Sequence, residues 1–186
     1  MNRLSIDGIL WTPALVSTAA WYDVGDRSTI GTTVTNTVSS WNDKSGNNNH
    51  ATQSNTAKRP LLKLSDPLAN NFNSIGYGVD DGTVGMDLPS FTANNVYTVC
   101  YYKDGVTDTF TSGKYPSIIA GSESSGTKRL AGNSGLSTWR LISSFHWYAG
   151  GSYRWNSVDY TSTNTALPQP LGLYYATGTT IPTQTR

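Results

Sequence analysis

Hydrolysis of a glycosidic bond needs two carboxyl groups held about 5 to 10 Å apart, one as acid and one as nucleophile or base. This chain has a single glutamate, Glu123, and its closest aspartates in sequence are Asp80 with Asp81 and Asp23 with Asp26. Adjacent residues on a strand point to opposite faces, so Asp80 and Asp81 do not form a ready pair. Cys100 is the lone cysteine and lies within an apolar run, where it reads as a small buried hydrophobe and not as a nucleophile. His50 and His146 are the only histidines, too few for a zinc site. His50 has no carboxylate spaced to orient it, and His146 falls on one face of an aromatic strand, where packing is the simpler role. These residues argue for a protein that is not an enzyme.

Two other clusters carry binding chemistry. In "SSWNDKSGNNNHATQ", Ser39 to Gln53, the side chains of Asn42, Asp43, Asn47 and Asn49 could offer the hard oxygens that calcium prefers, as could Asp80 and Asp81 with Gly82. The ordered Asp-x-Asp-x-Asp spacing is missing, and the same residue types make turns by bonding their own backbone. The expectation is a turn: Trp41 supplies burial, Asp43 accepts from the amides of Ser45 or Gly46, and Gly46 takes a positive φ. No metal ligand set is assigned, and calcium is the one cofactor left open. The second cluster is aromatic. Trp139, Trp147, Tyr148, Tyr153 and Trp155 crowd into two segments, and strand alternation should turn some of these rings outward. A partly exposed ring beside Asn and Arg donors stacks on the apolar CH face of a sugar while the donors bond its hydroxyls. Tyr148, Arg154, Trp155 and Asn156 are the candidate glycan-binding residues. The competing reading places the rings in a thick core or a protein interface.

The elements that must hold these clusters read as strands. "WTPALVSTAAWYD" offers Thr12 as an N-cap and Pro13 at the first helical position, so a turn or two of helix precedes a strand near Ala19 to Asp23. "TTVTNTVSSW" reads as one strand, residues 43–49 as a loop, and "HATQ" as the return. "PLLKL" and "SIGYGVDDGTVGMDL" add short strands between Gly and Asp turns. "NVYTVCYY", Asn95 to Tyr102, is the longest apolar run and reads as a central strand buried on both faces. "PSIIAGS" follows, then "SESSGTKRLAGNSG" as an exposed loop, then "TWRLISSFHWY". In "SYRWNSVDY" the aromatic phase shifts by one, which predicts a bulge near Asn156 and Ser157. "ALPQPLGLYYATG" supplies a last strand. The helix signal is confined to one short segment near the N-terminus.

Composition agrees. The 186 residues are 11% aromatic and only 13% charged, and Ser, Thr and Asn are abundant, which favours strands and tight turns. The length fits one domain, with residues 1–10 as an N-terminal arm and 11–186 as a single jelly-roll domain. Thirteen basic residues against twelve acidic leave a net charge of +1, which predicts no nucleic-acid partner and no anionic membrane partner. One cysteine excludes an internal disulfide framework. The opening "MNRLSIDGIL" lacks the pattern of a signal peptide, although the polar surface suits a protein exposed outside cells.

The string "AAWYDVGDRSTI…VSSWNDKSGNNNHATQ…RP" resembles the concanavalin A-like lectin/glucanase superfamily, in the laminin G-like form found in bacterial surface proteins and bacteriophage virion proteins. The likeness covers about the first sixty residues by motif; "GYGVDDGTVGMDL" and "NVYTVCYY" resemble the family's next elements, and the rest follows by strand rhythm alone. It implies an all-β, two-sheet antiparallel jelly-roll sandwich that binds glycans or proteins and is less often catalytic. "TTIPTQTR" does not match the family's closing strand, so the closing strand is expected to be missing or atypical, and the chain ends to meet another chain. The functional expectation is a non-enzymatic bacteriophage virion component, a tail or capsid-decoration protein. It would dock on other virion proteins or on copies of itself and engage cell-surface glycan in host attachment. It would be made in the host cytoplasm and exposed on the virion. The alternative is a carbohydrate-binding module of a bacterial extracellular protein.

Overall fold

The structure, a computed structural model, describes residues 5–6, 9–10, 12–77, 84–91, 93–101, 117–120, 129–133, 139–140, 152–156, 158–160 and 171–177. Among these residues the chain is all-β: short antiparallel strands, four 3₁₀ turns and no α-helix. In chain order the strands are β1 (Ser5–Ile6), β2 (Ile9–Leu10), β3 (Ile30–Thr32), β4 (Val38–Trp41), β5 (Ala51–Thr52), β6 (Leu61–Asp66) and β7 (Phe72–Gly76). They continue as β8 (Asn95–Cys100), β9 (Ser117–Ala120), β10 (Arg129–Asn133), β11 (Trp139–Arg140), β12 (Ser152–Trp155), β13 (Val158–Tyr160) and β14 (Gly172–Thr177). The sheets run β1-β2, β3-β4-β5, β6-β7, β11-β10-β9 and β13-β12-β14-β8.

The expected N-terminal helix is a single 3₁₀ turn, Pro13–Leu15, with Thr12 as N-cap but no side-chain capping bond. Residues 19–23 form no strand. Their backbone instead meets the loop after β4, where the Lys44 amide donates to the Trp21 carbonyl at 2.8 Å. The run read as one strand from Thr32 to Trp41 is broken into β3 and β4, because Asn36 adopts a left-handed conformation with φ of 59° and turns the chain. All but one of the described non-glycine residues with positive φ are asparagine: Asn36, Asn48, Asn70, Asn71 and Asn156, with Ser65 the exception. Asparagine pays less than other side chains for that conformation, and this is how an Asn-rich sequence becomes a turn-rich fold.

The core of the first half is Ile30, Val38 and Leu62, with Val24, Trp41, Ile75 and Met86 packed against it. Backbone bonds from the Val38 amide to the Pro60 carbonyl and from the Leu62 amide to the Asn36 carbonyl join β4 to β6, so the two small sheets share that core. At Gly31 a Cβ would run into Ser40 Oγ on the paired strand, so a larger residue there would require the Ser40 hydroxyl to turn away.

Two expectations about the second half are corrected. β8 is not a central strand with both faces covered. Among the described strands it ends the four-stranded sheet, with Val96 buried but Tyr97 and Val99 exposed at 58% and 68%. Apolar residues on both faces made the run look doubly buried, but alternation sends Tyr97 and Val99 to the open side. Part of the segment read as an exposed loop, residues 122–135, is strand β10, paired on both sides with β9 and β11.

Candidate functional site

Asp43 organises the loop after β4. It is 8% exposed, and its Oδ1 accepts from the amides of Trp21 and Ser45, both at 2.8 Å. Its Oδ2 accepts from the Ser45 hydroxyl at 2.7 Å and the Asn49 amide at 3.0 Å. Burial alone would raise this carboxyl, but the Ser45 hydroxyl and the three amides outweigh it and hold it below the usual carboxylate range. The Asp43 amide donates to His50 Nδ1 at 3.0 Å, so this ring nitrogen serves as an acceptor in the loop. Asn47 and Asn49 donate their side-chain amides to the carbonyls of Thr18 and Ala19. Gly46 has φ of +88°, as the turn reading requires. Asp43 and the side-chain NH2 groups of Asn47 and Asn49 thus serve the fold: four donors aim at Asp43, an arrangement that suits a carboxylate. Asn42 is exposed.

Beside this loop, the Lys44 ammonium sits 2.9 Å from both Asp23 and Asp26 and 4.5 Å from the centre of the Trp21 ring. Asp23 and Asp26 are therefore both tied to one cation. Trp41 packs at 5.5 Å from the Tyr22 ring, and the Tyr22 hydroxyl donates to the Asn49 carbonyl.

A second buried carboxylate, Asp66 at the end of β6, was not singled out from sequence. It is 5% exposed, caps the turn Pro67–Ala69 through the Leu68 amide at 3.1 Å, and accepts from the hydroxyls of Ser74 and Tyr101. Lys63 Nζ lies 3.9 Å away. Burial works to raise this carboxyl too, but the two hydroxyls, the Leu68 amide and Lys63 hold it low. Asp66 so ties the β6-β7 hairpin to the residue that follows β8. The only available signal, "SDPLAN" as a capped turn, is local; Ser74 and Tyr101 arrive from 8 and 35 residues away.

The four-stranded sheet has two unlike faces. On one, Val96, Tyr174 and Ala176 are buried. On the other, Tyr97 pairs in register with Tyr175, Tyr175 with Arg154, and Arg154 with Asp159, so that one residue from each of β8, β14, β12 and β13 forms a row across the sheet. Directly opposed residues project to the same side. The two tyrosine rings stack with centroids 4.5 Å apart and planes 18° apart. Arg154 makes a two-pronged ion pair with Asp159, Nε to Oδ1 and Nη2 to Oδ2. Val99 and Leu173 lie exposed beside the row.

Of the candidate glycan residues, Arg154 belongs to this row. Asn156 is not in a bulge but in the tight hairpin turn between β12 and β13, with φ of 48°. Its amide donates to the Leu173 carbonyl at 3.0 Å and its side-chain oxygen accepts from the Leu173 amide at 2.9 Å, so it fastens the hairpin to β14. The backbone of Trp155 pairs in register with Tyr174. Tyr148, Asp80 and Asp81 lie outside the described residues. Among the described residues no three His, Cys, Asp or Glu side chains converge as a metal site. Cys100 is half-buried, and burial pushes its thiol up to about 12. Tyr97 and Tyr175 were missed because their pairing spans 78 positions; the signal within each strand was only alternation.

No family model, no curated protein sequence and no solved structure matches the chain.

Proposed function

We propose that this protein is a non-enzymatic, lectin-like virion component, a tail or capsid-surface protein built on a two-sheet jelly roll, whose open sheet face docks on a partner surface. The observation that carries the docking role is the row Tyr97, Tyr175, Arg154 and Asp159, flanked by Val99 and Leu173, on a sheet whose opposite face buries Val96, Tyr174 and Ala176. Stacked aromatics beside an Arg-carboxylate pair are the composition of a recognition surface. A non-catalytic role is supported by the two buried carboxylates. A general acid needs a raised pKa and a free proton, whereas Asp43 and Asp66 are held low and saturated with donors. The virion assignment is supported by the resemblance of the first sixty residues to laminin G-like virion and surface proteins, and by the strand-rich fold. Of the residues expected to contact cell-surface glycan, Arg154 on the exposed row remains the proposed contact; Trp155 opposes buried Tyr174, Asn156 is bonded to Leu173, and Tyr148 lies outside the described residues.

The test is location. Antibodies raised against the purified chain should label intact particles purified from a lysate of the source culture, and mass spectrometry should find the chain at a fixed ratio to the major capsid protein. Its absence from particles, or its recovery as part of a secreted bacterial polypeptide, would refute the virion reading and favour the carbohydrate-binding module.

A further inference from the structure

We propose that Tyr97 and Tyr175 form an oxidative cross-linking site: a one-electron oxidant of phenols, of the peroxidase class, couples the two rings into a carbon–carbon-linked biphenol that staples β8 to β14. Such a staple needs no partner molecule and forms whatever the open sheet face docks on.

Among the described residues, two phenols stack across neighbouring strands. Their ring centroids are 4.5 Å apart, their planes 18° apart, and their backbones pair in register within the ladder of β8 and β14. The ladder holds the rings together before any reaction, so coupling does not have to bring two radicals into contact by diffusion. Burial and a hydrogen bond to the Tyr175 side chain both raise the Tyr97 phenol above its ordinary value, and the Tyr175 hydroxyl donates to Asn95 Oδ1 at 3.3 Å. Both rings are therefore phenols with an oxygen acceptor beside the proton that each must release as it loses an electron. Tyr97 is 58% exposed and Tyr175 is half-buried, so an oxidant reaches the pair in the folded chain. On its other side Tyr175 pairs in register with Arg154, whose guanidinium takes no part in one-electron chemistry. Cys100, the competing electron donor on β8, falls on the opposite face by strand alternation.

The chemistry is two one-electron oxidations followed by radical pairing. Each ring gives one electron to the oxidant and its hydroxyl proton to solvent, which leaves two phenoxyl radicals. These pair through carbons ortho to oxygen to form one C–C bond, and the hydrogen on each of those carbons moves to oxygen and restores the phenols. The chain loses two hydrogen atoms in all; one hydrogen peroxide takes up the two electrons and two protons and leaves as two waters. Tyr97 and Tyr175 stand 78 positions apart, so the bond closes a long loop and restricts the unfolded chain, which its single cysteine cannot do by an internal disulfide.

The test treats the full chain, dilute enough that chains rarely collide, with hydrogen peroxide and a peroxidase. The product should run as a single chain on a denaturing gel, weigh two hydrogens less, show the blue fluorescence of a biphenol, and yield on digestion one peptide pair joined through residues 97 and 175. Tyr97→Phe and Tyr175→Phe keep a ring at each position but remove one phenol; circular dichroism checks their fold, and each should lower the intramolecular yield at least about tenfold. A tryptic digest of the untreated chain places the two tyrosines on separate peptides and should not form the bond at the same dilution. The cross-linked chain should unfold at a higher urea midpoint than the untreated chain. Absence of the biphenol, coupling at other tyrosines or only between chains, full yield from either Phe variant, equal yield from the digest, or an unchanged urea midpoint would each overturn the proposal.

Discussion

Replacing Asp43 with asparagine keeps the shape of the side chain but changes what it offers to four donors. The amide nitrogen must take the place of one carboxylate oxygen. At the Oδ1 position it would confront two backbone amides, from Trp21 and Ser45. At the Oδ2 position it confronts only the Asn49 amide, because the Ser45 hydroxyl can rotate and accept. The second orientation should therefore prevail, with one charge-assisted bond lost outright and three reduced to neutral strength. At the low end of the usual range, about 1.5 kcal/mol for a bond to a charged group against about 1 for a neutral one, the gross loss is about 3 kcal/mol. Relief of burying a charge returns part of it, leaving a net destabilisation of about 2 kcal/mol. Asp43→Ala should cost more, about 3 to 4 kcal/mol, with water reaching some of the freed amides. The assay is urea unfolding followed by tryptophan fluorescence, with Asp43→Asn lowering the midpoint at unchanged slope. The same carboxyl gives a pH signature. Its folded pKa is depressed below the unfolded value of about 3.9, so its stabilisation is fully present above that value and is lost as pH falls through the folded pKa. The gap between wild type and Asp43→Asn should accordingly close on acidification. If Asp43→Asn lies within about 0.5 kcal/mol of wild type at pH 7, the hydrogen-bond accounting is wrong.

Three further outcomes are expected. Tyr101→Phe should destabilise by about 1.5 kcal/mol by removing one donor from buried Asp66, and combining it with Ser74→Ala should give a non-additive total because both hydroxyls serve one oxygen; full additivity would argue against a shared hub. Gly46→Ala should cost about 1 kcal/mol through backbone strain alone, since a Cβ there meets nothing within 4 Å, and Gly46→Asn should cost less; equal melting midpoints for all three would contradict the positive φ. Cys100, its thiol pushed up to about 12, should react with a thiol reagent at pH 8 far more slowly in the folded chain than in urea, and equal rates would mean that the strand end is open to solvent.

The loop after β4 was legible from sequence because its chemistry is local. Asp43 bonds Ser45 two residues on, and Gly46 needs only its own φ, so "NDKSGN" carries most of what the turn does. The all-β character was likewise legible, since abundant Ser, Thr and Asn with few helix formers leave strands and turns as the local preference. Where one strand breaks into two was not, because Asn36 tolerates a left-handed turn without demanding it, and the cross-strand bonds between β3 and β4 make the choice.

By itself, then, the sequence determined the all-β character of the described residues and the local turn chemistry around Asp43 and Gly46. The tertiary structure alone decided which strands become neighbours, and with that which side chains meet. Trp21 reaches Asp43 across 22 residues, Tyr101 reaches Asp66 across 35, and Tyr97 stacks on Tyr175 across 78. Such contacts leave no periodic trace in either segment, because alternation within a strand specifies a face but not the strand that will lie beside it. The physical reason is that pairing is chosen by the whole set of ladders and buried faces together. In β8 the same apolar run could have filled the centre of a sheet or, as among the described strands, ended one with Tyr97 and Val99 exposed.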